Sequence, residues 1–570
     1  MNSRTRSPSL SPIEPPPSTL LLPYALTANV HAEKDSAPAT HGIIGARVFA
    51  TEVVRALLKY GSYDRYYMVR TSTAPAIEEA PEARLQLLDS RNIGVLTTLA
   101  QPVVGGRAPD YTSSSRLRHR CSRARDWPIT SFIHAVESKF PPAWLLAMVL
   151  GDLQPWDALI CSSTAHHRVL QNHLDALPAV YPSLTRLPSL PRMNLPIIPL
   201  GTDAIDDDPP RRDAVRRRFG LADDDVLLLY VGRFSPSSKC DLVPLLVAFA
   251  NVTHAENGRV SPRLQLVLAG DDTRHRLAGS LQTLARELGC GEAVRIQENP
   301  THDDKRDLYR AADVFISPSD NLQETFGLTL IEALAAGLPV IAADWNGYRD
   351  LIVHGESGFL VPTGWTDLGS RFDALYLCGN AIDGVLPGAT AVDVGQLMVC
   401  IERLAQNPAR RRSMGARGRR EFETRFHWPV VIRAYEALWD ELKAHARRDT
   451  GAAVAAARSI RGDVRHTFGH YPSAQISDTC EVVLGPAATR LDTVLAASAR
   501  LPIACIPAYE ASARQIVNLA RKTPVMTIEQ LVAAVSTGDE ARELPARLAV
   551  ARLLKHGVLQ VHTATGSFGR

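Results

Sequence analysis

Two glutamates, Glu324 and Glu332, lie eight positions apart in the stretch SPSDNLQETFGLTLIEALAAGLPVIAAD (317–344). Glu324 falls in a polar turn, while Glu332 falls inside an apolar run that has the spacing of a helix. Gly337 followed by Pro339 is typical of a helix end, so the helix is about ten residues, or roughly 15 Å, long. The spacing therefore predicts one carboxylate just before a short helix and another about one turn inside it.

The N-terminus of this helix is suited to holding phosphate, because its first turn has unpaired N–H groups and a partial positive charge. Gly327 would let a diphosphate approach the backbone closely. Since helical side chains lean toward the N-terminus, Glu332 can point back beside the phosphates and accept hydrogen bonds from a ribose diol. Glu324 would accept hydrogen bonds from sugar hydroxyls on the other side. These residues predict a site that binds a nucleotide-diphosphate-sugar at three points.

A cationic segment, GRFSPSSK (232–239), supplies the opposite charge. Arg233 follows a buried apolar strand, and Lys239 comes six residues later. An arginine fork and a lysine ammonium facing one diphosphate would offset its charge without a metal ion. The Asp-Asp-Asp runs at 206–208 and 223–225 fall in connectors rather than between strands. We therefore expect no metal and no cofactor, only a nucleotide-sugar co-substrate.

Composition limits the class of protein. The chain has 570 residues, of which 45% are hydrophobic and 22% charged, and its net charge of +3 gives no overall polyanion-binding signature. Its eight cysteines form no Cys-x-x-Cys pair, so neither a zinc site nor a disulfide framework is indicated. No apolar stretch approaches the ~18 residues that a membrane span needs. We expect a cytoplasmic protein that binds no nucleic acid.

The alternation of apolar strands and amphipathic helices predicts an α/β protein with two Rossmann-like, doubly wound domains facing a cleft, followed by a small, mostly helical module that could be winged-helix-like. The predicted divisions are a disordered leader (1–18), an N-terminal acceptor domain (19–200), a C-terminal donor domain (201–430), a crossover helix (431–449), and a linker with an accessory module (450–570).

The sequence also predicts the local structure of several separate segments. Residues 195–203 (LPIIPLGTD) are predicted to form a strand that runs into a turn, and residues 206–221 a charged, proline-containing connector. Thr527 and Gln530 have capping-box spacing at the start of a helix. The arginine-rich segment 114–126 is predicted to be a solvated loop, with contact to an anionic membrane surface or a phosphorylated acceptor as the alternative.

The second domain resembles the retaining glycosyltransferases of family 4, which have the GT-B fold. The resemblance covers roughly 195–445, and motifs in this order are specific. The segments that carry it are GRFSPSSK (232–239), VLAGDD (267–272), ADVFISPS (312–319), ETFGLTLIEALAAGLPVIA (324–342) and GESGFLVP (355–362).

The resemblance implies a role for each matching residue. Glu324 would contact the donor sugar, and Glu332 would bind the ribose. Arg233 and Lys239 would bind the diphosphate and stabilise the leaving group, which makes them catalytic together with Glu324. Further donor-binding residues implied by the resemblance are Gly42, Gly45, Gly232, Phe326, Gly327 and Leu328.

The first domain resembles the family more loosely. Gly42 and Gly45 lie in HGIIG (41–45), the place of a glycine-rich loop that approaches the phosphates and the acceptor. His134 lies at the end of a predicted strand, where the family has a histidine near the reacting sugar. The resemblance therefore implies that His134 is a further catalytic residue.

We thus expect a metal-independent, retaining glycosyltransferase that moves a hexose-type sugar to a glycan, lipid-linked or small-molecule acceptor. The resemblance implies an oxocarbenium-like transition state, which the protein would stabilise by charge and positioning. A non-catalytic GT-B scaffold that binds nucleotide sugar and a sugar-nucleotide epimerase of the same fold are the alternatives. Peripheral contact with the inner membrane face also stays open, and the sequence determines neither donor base nor acceptor.

Overall fold

The computed structural model contains two α/β domains and a smaller C-terminal module. The residues that it describes are 19–22, 45–69, 85–88, 103–107, 114–115, 118, 127–132, 143–149, 153–186, 192–254, 264–273, 275–365, 388–448, 476–500 and 509–562. Within these ranges no helix is long and apolar enough to cross a bilayer.

The first domain contains a six-stranded parallel sheet in the order β3-β2-β1-β4-β5-β6. Its strands are β1 (Thr19–Leu22), β2 (Arg65–Val69), β3 (Leu85–Leu88), β4 (Val103–Arg107), β5 (Ile129–Phe132) and β6 (Ala158–Ile160). It also contains the helices α1 (Gly45–Tyr60), α2 (Ala143–Val149) and α3 (Thr164–Val180). The strand order reverses between β1 and β4, as expected for a doubly wound sheet.

The second domain contains another six-stranded parallel sheet, in the order β12-β11-β10-β7-β8-β9, and an antiparallel pair β13-β14. Its strands are β7 (Val226–Val231), β8 (Leu264–Gly270), β9 (Val294–Glu298), β10 (Val314–Ser317), β11 (Val340–Ala343), β12 (Gly358–Val361), β13 (Thr363–Trp365) and β14 (Thr390–Val392). Its helices include α4 (Pro209–Arg218), α5 (Val243–Thr253), α6 (Ala278–Glu287), α7 (His302–Ala311), α8 (Leu328–Ala335), α9 (Tyr348–Leu351), α10 (Val394–Ala405) and α11 (Pro408–Glu421).

Two interior strands of the second sheet, β7 and β8, show that it is covered on both faces. Every residue of β7 and β8 is buried, and near-continuous apolar strands are typical of parallel sheets with helices on both sides. Helices α5, α6 and α10 pack on one face, while α7 and α8 pack on the other. The order reverses between β7 and β10, so the loops after these neighbouring strands meet at one edge of the sheet.

A long helix, α12 (Trp428–Arg448), follows the second domain and packs on the first. The indole N–H of Trp439 donates a hydrogen bond of 3.1 Å to the hydroxyl of Thr130 in β5. The rings of Tyr435 and Phe132 meet edge to face, with their centroids 5.4 Å apart. The helix therefore ties the end of the second domain to the sheet of the first.

The predictions for two segments between the domains were wrong. Residues 206–221 contain the helix α4 rather than a connector, because the Asp208 side chain caps the backbone N–H of Arg211 at 3.2 Å and proline occupies the first turn. Residues 195–203 form isolated bridges, such as Ile197 with Cys161, rather than a named strand. Prolines within this segment lack the N–H that a ladder needs.

The C-terminal module has its own hydrophobic core. Its elements are β15 (Glu481–Leu484), α13 (Leu491–Arg500), α14 (Tyr509–Lys522), β16 (Met526–Thr527), α15 (Ile528–Ser536), α16 (Glu540–Lys555) and β17 (Leu559–Val561). The capping box at Thr527 and Gln530 is confirmed, with hydrogen bonds of 2.9 and 3.2 Å between the two residues. The strand β15 lies at the centre of an antiparallel sheet, between β16 and β17.

The prediction of a solvated arginine-rich loop was wrong for Arg118. The guanidinium of Arg118 lies 2.8 Å from the carboxylate of Asp157, and both side chains are 0% exposed. The same carboxylate accepts hydrogen bonds from the backbone N–H groups of Ile129, at 2.8 Å, and Gln154, at 2.9 Å. This ion pair therefore joins β5 to the turn before β6. The other arginines of 114–126 lie outside the described residues.

Replacing Asp157 by Ala should destabilise the first domain by about 3 kcal/mol or more, because it removes the carboxylate that balances the charge of a buried guanidinium. Urea denaturation of the full chain measures the loss. The matched control is Asp440→Ala, which breaks a pair whose carboxylate is 73% exposed and should cost under about 1 kcal/mol. Equal losses in the two variants would contradict a structural role for the Arg118 pair.

Candidate functional site

An ion pair between Lys239 and Glu324 lies at the edge where the loops after β7 and β10 meet. The two side chains are only 12% and 13% exposed. Burial acts to lower the pKa of Lys239, but the adjacent Glu324 and Tyr230 outweigh it and the pKa is raised. Lys239 is therefore held as an ammonium ion next to a carboxylate, in a place that is largely shielded from water.

The helix α8 begins at this edge in the way the sequence predicted. Gly327 precedes it with φ of 113°, a left-handed conformation that glycine adopts without strain. A Cβ at Gly327 would lie 2.6 Å from the ring of Tyr348. Phe326 is buried, and its ring meets that of Phe426 edge to face. Leu328 is the first helical residue, so the unpaired N–H groups of α8 follow directly after Glu324 and its loop.

The second glutamate, Glu332, is held by two partners from α7. The ammonium of Lys305 lies 2.6 Å from one carboxylate oxygen, and the hydroxyl of Tyr309 donates a 2.9 Å hydrogen bond to the other. The backbone carbonyl of Thr329 lies 3.1 Å from the same hydroxyl, so the single phenolic proton lies between two acceptors. Burial, followed by the charge of Glu332, raises the pKa of Tyr309 well above its ordinary value, so the phenol stays a donor. These contacts fix the direction of the Glu332 carboxylate.

A cavity of about 330 Å³ lies between the domains beside Glu332. It is lined from the first domain by α1, including Arg55 and Lys59, and from the second by Lys305 and Glu332. The volume is at the lower end of the range for small-ligand sites. The cavity reaches Glu332 but not the ion pair at Lys239, so it adjoins one half of the predicted site only.

Arg233 lies in the same loop as Lys239. Its guanidinium donates a 3.0 Å hydrogen bond to the carbonyl of Ser238, which holds the side chain along the loop. Gly232 and Gly270, which follow β7 and end β8, approach so closely that a Cβ on Gly270 would lie 1.8 Å from the Gly232 carbonyl oxygen. The loops after β7 and β8 are therefore packed against each other through glycine.

Gly42 and His134 lie outside the described residues, and their predicted roles stay predictions. Gly45 is the first residue of α1. The residues that the structure brings together are Arg233, Lys239, Glu324, Phe326, Gly327, Leu328 and Glu332 with Gly232.

Sequence reasoning missed the residues that support the two glutamates. The hydroxyl of Tyr348 lies 3.5 Å from the Glu324 carboxylate and 2.9 Å from the hydroxyl of Ser317. The amide of Asn346 donates to the backbone carbonyl of Glu324. Both residues lie within five positions after β11, and polar side chains soon after a buried strand were the available signal. Lys305 and Tyr309, which hold Glu332, are one turn apart on α7 and gave no comparable signal.

The first domain touches the loop that carries Glu324. Ser163, the N-cap of α3, donates a 2.7 Å hydrogen bond to the carbonyl of Thr325. The backbone N–H and hydroxyl of Thr164 both donate to the carboxylate of Asp350 in α9. The N-terminus of α3 is therefore capped partly by a carboxylate of the other domain.

Asp320 is a buried carboxyl group in the same loop. It is 3% exposed, and burial raises its pKa to about 7, while the backbone N–H of Asp241 at 3.3 Å acts in the opposite direction. The loop before Glu324 therefore contains a group whose charge changes near neutral pH.

Replacing Gly327 by Ala should lower the free energy of unfolding more than replacing Gly337 by Ala. Both glycines have positive φ, at the two ends of α8, but a Cβ at Gly337 meets nothing within 4 Å. We expect about 1 kcal/mol of backbone strain for Gly337→Ala and clearly more for Gly327→Ala, which also displaces Tyr348. Urea denaturation compares the two variants, and equal losses would contradict the contact with Tyr348.

The variant Asp320→Asn should be more stable than the wild type at alkaline pH and similar to it in acid. Because the folded-state pKa lies above that of the unfolded chain, ionisation of Asp320 opposes folding increasingly from about pH 4 and fully above about pH 7. Urea denaturation of both proteins across this range measures the difference. A difference that does not change with pH would show that the pKa of Asp320 is not raised.

Part of the chain is similar in sequence to known proteins. Residues 211–381 match the family model described as glycosyl transferases group 1. A D-inositol 3-phosphate glycosyltransferase of Geodermatophilus obscurus is 40% identical over 221 residues, which is 38% of this chain and 45% of that protein. The enzyme of the same name from Thermobispora bispora is 38% identical over 155 residues, 27% of this chain and 35% of that protein. The chain therefore spans less than half the length of these curated relatives.

Solved structures are similar in fold. The Anabaena protein Alr3699/HepE in complex with UDP has a TM-score of 0.51 and 15% identity, and the match covers 74% of this chain and 100% of that chain. A glycosyltransferase from Rickettsia africae ESF-5 has a TM-score of 0.50 and 16% identity, with 75% and 98% covered. At these identities the likeness concerns the fold alone. The chain thus has the GT-B fold, and its residues 211–381 match the model of the glycosyl transferases group 1 family.

Proposed function

We propose that this protein is a retaining glycosyltransferase of family 4 type. It transfers a hexose-type sugar from a nucleotide-diphosphate sugar to a glycan, lipid-linked or small-molecule acceptor in the cytoplasm. The observation that carries the proposal is the convergence of Lys239, Glu324 and the N-terminus of α8 at one edge of the second sheet, with Glu332 one turn further on. The group 1 family match and a structural neighbour solved with UDP support it.

Glu332 is assigned to the ribose of the donor. Lys305 and Tyr309 each occupy one of its oxygens, but a carboxylate offers about four lone-pair sites, so both oxygens can still accept hydroxyl protons. The two partners hold the carboxylate in one direction. A ribose diol would then meet a preorganised acceptor rather than a freely rotating side chain.

Lys239 and Arg233 are assigned to the diphosphate, with the first N–H groups of α8. Lys239 is bonded to Glu324, and a diphosphate that approaches it would share the ammonium with that carboxylate. Arg233 can turn from the Ser238 carbonyl toward the phosphates, since it has five N–H donors. Glu324 is assigned to the sugar hydroxyls beside the diphosphate.

In the proposed reaction, the bond between the anomeric carbon and the diphosphate oxygen breaks, and its electron pair leaves with the diphosphate. The acceptor oxygen attacks the same face of an oxocarbenium-like sugar, which retains the configuration. The acceptor proton passes to the departing diphosphate. The cations and helix N–H groups stabilise the negative charge that develops there, which is the largest contribution expected of a preorganised site.

Thermal unfolding of the wild type, Glu332→Gln and Glu324→Gln against UDP-, GDP-, ADP- and TDP-sugars tests the assignment. A nucleotide sugar at 100 times its dissociation constant should stabilise the wild type by about 2.7 kcal/mol. Glu332→Gln should lose most of this effect even with the free nucleotide. Glu324→Gln should keep the effect of the free nucleotide but lose sugar transfer.

The control for both variants is Glu356→Gln, at a carboxylate that is 59% exposed and paired with Arg417. It should bind and transfer like the wild type. Nucleotide binding by the wild type without any transfer would favour a non-catalytic scaffold. Transfer at the wild-type rate by both site variants would refute the assignment.

Transfer should persist in excess EDTA, because Arg233 and Lys239 would offset the diphosphate charge that a metal ion neutralises in other enzymes. The measurement is the transfer rate before and after chelation, with added Mg²⁺ as the control. A loss of activity that Mg²⁺ restores would show that the cations of the chain are not sufficient.

A further inference from the structure

Two tryptophans and a leucine lie on or next to the loop that carries Glu324 and take no part in the proposed donor binding. Trp345 follows β11, and Trp365 ends β13. Their rings meet nearly perpendicularly, with centroids 6.2 Å apart. Trp365 is 57% exposed and Leu322 is 39% exposed. Large apolar side chains exposed together at the edge of a site mark a binding surface more often than isolated ones do.

These rings are fixed relative to Glu324. The indole N–H of Trp345 donates a 3.0 Å hydrogen bond to the carbonyl of Asn321, which precedes Leu322. The next residue, Asn346, donates its amide to the backbone carbonyl of Glu324. Trp345 is therefore attached on both sides to the loop that carries Glu324.

Trp365 is held in a different way. It pairs with Thr390 in the two-stranded sheet of β13 and β14. The hydroxyl of Thr363, two residues earlier, donates a 2.9 Å hydrogen bond to the carbonyl of Asp344, directly before Trp345. The two indoles thus form one aromatic surface that hydrogen bonds connect to the loop carrying Glu324.

The chemistry around this surface favours a sugar over a lipid. The negative face of an aromatic ring attracts the C–H groups on one face of a pyranose, and carboxylates accept hydrogen bonds from its hydroxyls. Asp344 lies next to Trp345 and is 41% exposed in its pair with Arg349. Glu324 lies on the other side. Because each of these carboxylates is paired with a cation, Arg349 or Lys239, the two pairs offer no net charge to an anionic membrane surface.

We propose that Trp345, Trp365 and Leu322 bind a pyranose ring of the acceptor, which is therefore a glycan. This inference rests on the proposed function, because it places the acceptor sugar beside the donor sugar at Glu324. The surface belongs to the donor domain, so part of the acceptor specificity lies outside the first domain. Binding here would place an acceptor hydroxyl next to the reacting carbon.

The test is saturation-transfer NMR of the full chain with a mixture of maltose, cellobiose, lactose and melibiose. The proteins compared are the wild type, Trp365→Ala, Trp365→Phe and Val525→Ala. Val525 is the matched control, since it is an apolar residue 39% exposed in the C-terminal module. The same four proteins are also titrated with nucleotide sugars by thermal unfolding.

We expect at least one disaccharide to bind the wild type and Val525→Ala equally. Trp365→Ala should bind it about tenfold more weakly or worse, and Trp365→Phe should keep most of the affinity because it keeps an aromatic face. All four proteins should show the same nucleotide-dependent rise in melting temperature. That equality would show that Trp365→Ala folds and keeps its donor site.

Three outcomes would overturn the inference: disaccharides that bind Trp365→Ala as well as the wild type, no disaccharide binding by the wild type, or Trp365-dependent binding to phosphatidylglycerol vesicles in place of sugars. If the wild type binds no nucleotide sugar, the proposed function fails instead, whatever the disaccharides do.

Discussion

The ion pair between Lys239 and Glu324 is the interaction on which the candidate site depends. Both side chains are largely shielded from water, so each charge needs the other to offset its lost solvation. Neither residue is near the other in the sequence. They meet because β10 pairs with β7, although eighty residues or so separate the strands. The strand order of a doubly wound sheet therefore decides which loops share an edge, and only then does side-chain chemistry matter. Without that pairing, Lys239 would be an isolated and partly desolvated cation.

Close approach of the backbone is the second constraint. Gly232 and Gly270 let the loops after β7 and β8 touch, and Gly327 lets the chain turn into α8 beside the ring of Tyr348. A side chain at any of these positions would push apart elements that hold charged groups within bonding distance. The pattern explains why glycine occurs where strands end and not only where turns are tight. The positions of the charged side chains thus depend on these uncharged glycines.

Local signals in the sequence predicted part of the structure, and contacts between distant residues account for the rest. The helix after Glu324 and the capping box at Thr527 were predictable, because a glycine, a cap and an apolar period all lie within one short window. The burial of Arg118 was not, since its partner Asp157 lies 39 positions away and charge alone indicates a solvated loop. Likewise, nothing near Glu332 indicates that Tyr309 holds it.

The contact between the domains connects the two halves of the molecule to the same short segment. Ser163 both caps α3 and donates to the carbonyl of Thr325, the residue directly after Glu324. Asp350 meets the N-terminus of α3 from the other side of that segment. A movement of one domain relative to the other would therefore break a helix cap and a hydrogen bond to the loop that carries Glu324. The helix α12 also ties the end of the second domain back to β5, so the two domains are joined both at this segment and through that helix.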